Sequence, residues 1–305
     1  MSNARKKVPA RTPATERRAP ARAATLLDPV LAAVRRRIGK AGGDDAVAFA
    51  AAFYQRMGDD EVGLHDPDSW AALATDVLAF IGKRKAGSAI VRVFNPALAS
   101  HGWDSPRTVL QIANDDMPFL VDSVTMALSE LGVGVHVLGH PVLELERDRA
   151  GRLTGVGSGT PESVMHLEID RQTPEGCAKV EATVRAVLED VRAIVADWTR
   201  MRTRMEEVAD GLDAAPLPVS DAERAEIQAF LRWAADNHFT FFGYREYEVV
   251  KQGRDEVLRA VEGSGLGLLR GRDVGKPRLL RTVGAQRNER TVEPLILTKT
   301  NARST

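Results

Sequence analysis

The chain has 305 residues with 42 basic and 42 acidic side chains, so its overall charge points to neither nucleic acid nor an acidic membrane. Cys177 is the only cysteine, which excludes a disulfide framework within the chain and a zinc site built on cysteines. No run reaches the roughly 18 apolar residues of a membrane helix, the length allows two domains, and the lone cysteine suits a reducing, cytoplasmic setting.

Residues 1–25 read as a disordered basic tail. Arg5, Lys6, Lys7, Arg11, Arg17, Arg18 and Arg22 face only Glu16, and Pro9, Pro13 and Pro20 oppose a helix. No aromatic residue is interleaved to stack on bases, and no apolar core makes the tail a secretory signal. Residues 26–87 read as a helical lead of three helices. Their stripes are Leu27, Val30, Leu31 and Val34; then Phe49, Phe53 and Met57; then Trp70, Leu73, Val77, Leu78 and Ile81 behind Asp66-Pro67. The basic clusters at Arg35–Arg37 and Lys83–Lys85 sit near helix ends, where the dipole favours them.

A strand is predicted at 89–94 and another at 107–113. The second runs into Asn114-Asp115-Asp116, and from Met117 the apolar positions Leu120, Val121, Val124, Leu128 and Leu131 follow helical spacing up to Gly132. This strand, acidic turn and amphipathic helix organise the chain. The helix start offers free N–H groups that could hold a carboxylate; the plainer reading is that Asp115 or Asp116 only caps the helix. Strands follow at 133–147 and 163–170, with a glycine-rich loop, Gly155 to Gly159, between them.

The next helix, 175–209, is the most regular element. Val180, Val184, Val187, Val191, Ile194, Trp198, Met201 and Met205 alternate spacings of four and three, a heptad seam. About 36 residues at 1.5 Å each make roughly 50 Å, longer than one small sheet can cover. The far half, Ile194, Trp198, Met201 and Met205, is therefore expected to be fully buried only in an assembly, against the lead, the second domain or another subunit. Ala214 to Pro218 reads as a linker. Ser220 and Glu223 form a capping box for a helix to Asn237. Strands are predicted at 239–250, where Phe239, Phe241, Phe242, Tyr244 and Tyr247 cluster, and at 256–261, 278–283 and 294–299.

Neither Gly155 to Gly159 nor Gly263 to Gly267 is followed by a helix, so neither fits a dinucleotide loop. His136, His140 and His166 lie on strands without metal-ligand spacing. Cys177 has no activating neighbour in the sequence. No catalytic, cofactor or metal residue is assigned.

Several blocks resemble the start of the large bacterial NAD-specific glutamate dehydrogenases: Asn114 to Met126 (NDDMPFLVDSVTM), His140 to Leu143, Glu162 to Asp170, Ala193 to Met201, Phe230 to Tyr247, Gly265 to Arg270, and Leu297 to Thr305. They keep their order from about Leu26 onward. The resemblance implies a regulatory segment cut short of the catalytic domain: an ACT-like domain at 88–213 with a long C-terminal helix, then an incomplete sensor-like α+β domain at 214–305. It implies NAD and the oxidation of glutamate to 2-oxoglutarate for the whole enzyme but not for this chain alone. It also implies a homo-oligomer, a missing catalytic partner region and an amino-acid effector. A stand-alone amino-acid-sensing module is the alternative.

ACT domains bind effectors at a turn similar to D-x-P-G-x-L. Asp116 and Pro118 match it, while Phe119 stands where Gly is usual and restricts close backbone approach. Asp115, Asp116, Met117, Pro118, Phe119 and Leu120 are therefore the candidate effector or interface turn. The expected fold class is α+β: an antiparallel, ferredoxin-like sheet with the helices at 117–131 and 175–209 on one face, and the strand at 89–94 filling the sheet edge.

Overall fold

The structure, a computed structural model, describes residues 21–39, 42–55, 66–215, 219–252, 255–271 and 278–279. Most of the basic tail and the strand expected at 294–299 lie outside them. The fold is α+β, and packing divides the chain into two units: one of residues up to 116 with 128–183, the other of 117–127 with residues from 184 onward.

The first unit opens with α1 (Ala21–Ile38), α2 (Gly43–Tyr54) and α3 (Pro67–Ile81). Helix α1 begins inside the stretch expected to be disordered. Asp66 caps α3, accepting from the backbone N–H groups of Asp68 and Ser69. The sheet contains β1 (Ile90–Phe94), β2 (Thr108–Asp115), β3 (Val135–Gly139), β4 (Val142–Arg147), β5 (Leu153–Val156) and β6 (Thr160–Ile169), with a short α4 (Leu98–His101) after β1. Its order is β1-β2-β6-β4-β5, and β3 also pairs with β6. All named pairings are antiparallel, and β1 lies against β2 with Ile90 opposite Ala113, as the edge-strand expectation requires.

Two strand expectations need correction. The strand at 133–147 is split at His140-Pro141, because proline cannot donate to a ladder; β3 and β4 take successive stretches of β6. The edge strand β5 runs into the loop-like glycine stretch, so that Gly155 pairs with Glu146.

The helical lead forms the first unit's core with the sheet. Val30, Val34, Phe49, Phe53, Trp70 and Val77 cluster with Val109, Ala113, Leu143, Leu145 and Val164. Burying each large apolar side chain contributes about 1.5–3 kcal/mol. Inside this core the Tyr54 hydroxyl donates to the Trp70 carbonyl at 2.7 Å.

The second unit holds most of α5 (Leu120–Glu130), the part of α6 (Pro174–Gly211) from Val184, α7 (Asp221–Trp233) and a π-helical turn at Ala234–His238. Ser220 and Glu223 make the expected capping box. The long aromatic strand expected at 239–250 is instead irregular to Phe242, then β7 (Gly243–Tyr244) and β8 (Tyr247–Gln252). Strand β8 pairs with β9 (Asp255–Ala260), β9 with β11 (Arg278–Leu279), and β7 with β10 (Leu266–Gly267).

Candidate functional site

The acidic turn does not cap a helix. Strand β2 runs on to Asp115, whose carboxylate accepts from Arg84 Nη1 and from the Gly87 N–H, both at 2.9 Å. The Asp116 N–H donates to the Pro161 carbonyl at 3.2 Å. Helix α5 starts only at Leu120, because Phe119 has a left-handed backbone with φ 69°. That conformation suits glycine and is rare for a bulky residue. Phe119 thus adopts a conformation that glycine would take freely. Leu120 is buried, while Asp116, Pro118 and Phe119 are exposed.

Asp115 belongs to a buried ion cluster that the sequence did not reveal. Arg84 contacts Glu162 through Nε at 2.9 Å and Nη2 at 2.8 Å, and Arg147 contacts Glu162 through Nε at 2.6 Å and Nη2 at 2.9 Å. Burial pushes the Glu162 carboxyl up, but hydrogen bonds from Arg147 and Arg84 outweigh it and hold the pKa below the usual range. Gly151, at φ 80°, lets its carbonyl take the Arg84 N–H at 2.8 Å; a Cβ there would strike the Arg84 carbonyl. Arg84 lies in the cluster read from sequence as dipole-favoured, so its role is burial rather than solvation. Beside it, Arg92 bonds Asp76 and Gln111, and Gln111 bonds the buried His166 ring at 3.0 Å. Burial, then the nearby Arg92 charge, lower the His166 pKa to about 4, so it is neutral at pH 7.

The far half of the α6 seam packs on residues of the second domain, one of the three partners expected for it. Ile194, Met201 and Leu266 form one buried cluster with Phe241 and Phe242 against it; Met205, Ala209 and Leu212 form another with Leu231 and Ala235. Trp198 is half-buried and stacks on Phe241, ring centroids 5.6 Å apart. This cover comes from residues after 212, the second-domain partner among the three expected, and it leaves Trp198 part exposed. On the same helix, Asp197 is buried, accepts from the Gly267 N–H at 2.9 Å and from Arg270 Nε at 2.8 Å, and pairs with Arg200 at 3.2 Å. This clamps the loop around Gly267 onto α6.

The turn and the seam meet within the second unit. Pro118, Phe119, Ile194, Trp198, Asn237 and Phe239 help line an open cavity of about 300 Å³. Asn237 also has a left-handed backbone, φ 59°, inside the π-helical turn. Of these residues the sequence signalled the turn, the seam and the aromatic cluster; nothing in it placed Asn237 beside them.

Gly155 to Gly159 joins β5 to β6, and Gly263 to Gly267 runs into β10, so neither cluster presents a helix N-terminus to a dinucleotide. These residues do not fit NAD. Among the described residues, no group of three or more His, Cys, Asp or Glu side chains could hold a metal ion, and no helix is long and apolar enough to cross a membrane.

The helix-backed sheet, with its strand–turn–helix at 108–130, coincides with a known domain class: residues 49–184 match the family model of the glutamate dehydrogenase ACT1 domain. Over 254 residues, 80% of the chain, it is 33% identical to the NAD-specific glutamate dehydrogenase of Halomonas elongata. Over 188 residues, 59% of the chain, it is 39% identical to that of Pseudomonas aeruginosa, and over 208 residues, 64% of the chain, 29% identical to that of Mycobacterium tuberculosis. The chain is similar to a segment of the large NAD-specific glutamate dehydrogenases: the matches span 16%, 12% and 12% of those relatives.

Proposed function

We propose that this chain is the N-terminal regulatory and assembly segment of an NAD-dependent glutamate dehydrogenase working in the cytoplasm. The match of residues 49–184 to the ACT1 domain carries this reading. The oxidation of glutamate to 2-oxoglutarate, and the NAD it uses, then belong to a catalytic region beyond this segment, with the segment holding subunits together and setting their response to small molecules. The same ACT1 match also fits a second reading, a stand-alone amino-acid-sensing module. Sequencing the gene past codon 305 separates them. An open frame running on into a dehydrogenase domain is the expected result; a stop codon with no dehydrogenase reading downstream would overturn the first reading in favour of the second.

A further inference from the structure

Among the described residues, only two besides glycines have a left-handed backbone, Phe119 and Asn237. They lie far apart in sequence, on a helix entry and in a π-helical turn, yet both line the same cavity. Left-handed phenylalanine persists only where its surroundings hold it, and such positions gather at ligand sites; π-helical turns do likewise.

The lining states what would fit. Phe119, Trp198 and Phe239 present three rings, with Ile194 and Val195 adding aliphatic wall. Aromatic walls favour a ring packed edge-on or offset. The polar lining residues are Asn237, with an amide, and Thr240, with a hydroxyl. Among the described residues no lining residue is charged, so an ammonium or carboxylate placed among these rings would find no ion partner. A volume of about 300 Å³ lies at the small end of ligand pockets and suits one ring system rather than a nucleotide.

We propose that this cavity binds an uncharged small molecule built on a single aromatic ring with one hydrogen-bonding substituent, of the phenol or indole class, and that it rejects free zwitterionic amino acids. The ring packs among Phe119, Trp198 and Phe239, and the substituent faces Asn237 and Thr240. The inference stands on the cavity and does not rest on the regulatory reading, so either can fail without the other.

The test titrates p-cresol into the isotope-labelled 305-residue chain and follows the backbone amides of Phe119, Val195, Asn237 and Thr240 by NMR. Saturable shifts at these amides are expected, with a Kd on the order of 0.1–1 mM. L-tyrosine, the same ring on a zwitterion, should bind at least about tenfold more weakly. Val195→Trp, which fills the space, should weaken p-cresol at least about tenfold while leaving the amide signals of β2 and β6 in place. Where that variant disturbs the unit, Thr240→Val decides: p-cresol weakens and toluene does not. The proposal is overturned by no saturable shift up to about 10 mM p-cresol. It is equally overturned if L-tyrosine or L-glutamate binds at these amides as tightly as p-cresol, or if neither Val195→Trp nor Thr240→Val changes p-cresol binding.

Discussion

Each unit buries one carboxylate under arginines, and the two clusters differ in what surrounds the cations. In the first unit the side chains of Glu162, Arg84 and Arg147 are 2%, 2% and 9% exposed. In the second, Asp197 is 1% exposed but its partners Arg200 and Arg270 are 64% and 50% exposed. A cation already in water loses little when its partner goes, whereas a buried cation left alone is strongly disfavoured. The first cluster therefore fixes the end of the helical lead to the sheet, and the second fastens a loop that can open at smaller expense. The sheet unit is a scaffold, and the unit with the clamped loop is where strained backbone and cavity lie.

The comparison breaks most directly at Arg84. Arg84→Met leaves Asp115 without its arginine and Glu162 with Arg147 alone, and should destabilise the 305-residue chain by about 3–5 kcal/mol in urea unfolding. A loss near that expected for a surface pair would show that the cluster is solvated after all.

Acid should act on the same unit next. The folded His166 pKa of about 4 lies below the roughly 6.5 of the unfolded chain, so between these values the unfolded state binds the extra proton. Stability from neutral His166 is present above about pH 6.5 and falls as pH drops toward 4, by up to about 3 kcal/mol in all. Glu162, also depressed, adds a loss that begins below its unfolded value of about 4.3 and continues as pH falls through its folded pKa. His166→Gln should flatten the slope of unfolding free energy between pH 6.5 and 4 and leave the acid limb below it. An unchanged slope would mean that His166 is not held neutral.

In the second unit, Asp197→Asn should cost only about 1–3 kcal/mol, since both arginines stay in water. Its signature is local: hydrogen exchange at the Gly267 amide should speed up while β2 and β6 stay protected. Phe119→Gly should have the smallest effect on folding. It relieves about 1–2 kcal/mol of left-handed strain but adds unfolded-state freedom and removes a ring. The melting temperature should therefore shift by no more than a few degrees, equivalent to less than about 1 kcal/mol. A large drop would mean that Phe119 is a packing residue rather than a cavity wall.

Much of the scaffold was legible because periodicity reports burial directly. The three lead helices and a long helix at 175–209, observed at Pro174–Gly211, follow from apolar spacing, while the pairing of β1 with β2 followed from the ferredoxin-like fold that the resemblance implied. Boundaries failed where one residue overrode the pattern. Pro141 split a strand, Gly155 hid one, and Phe119 delayed α5 past the run that begins at Met117. Which face the lead would cover carried no sequence signal, because an apolar stripe does not name its partner. The turn and the seam were visible as separate features; the cavity that joins them needed Asn237 and Phe239, whose placement depends on a π-helical turn that no short motif announces.

Glutamate-dependent reduction of NAD tests the regulatory reading most directly, measured on the 305-residue chain alone and on a long relative with and without the segment matching residues 26–213. The account predicts no turnover by the 305-residue chain. In the long relative it predicts that deletion leaves the chemistry measurable but changes the subunit mass or the dependence on added small molecules. Turnover by the short chain, or a deletion that changes neither mass nor response, would contradict it.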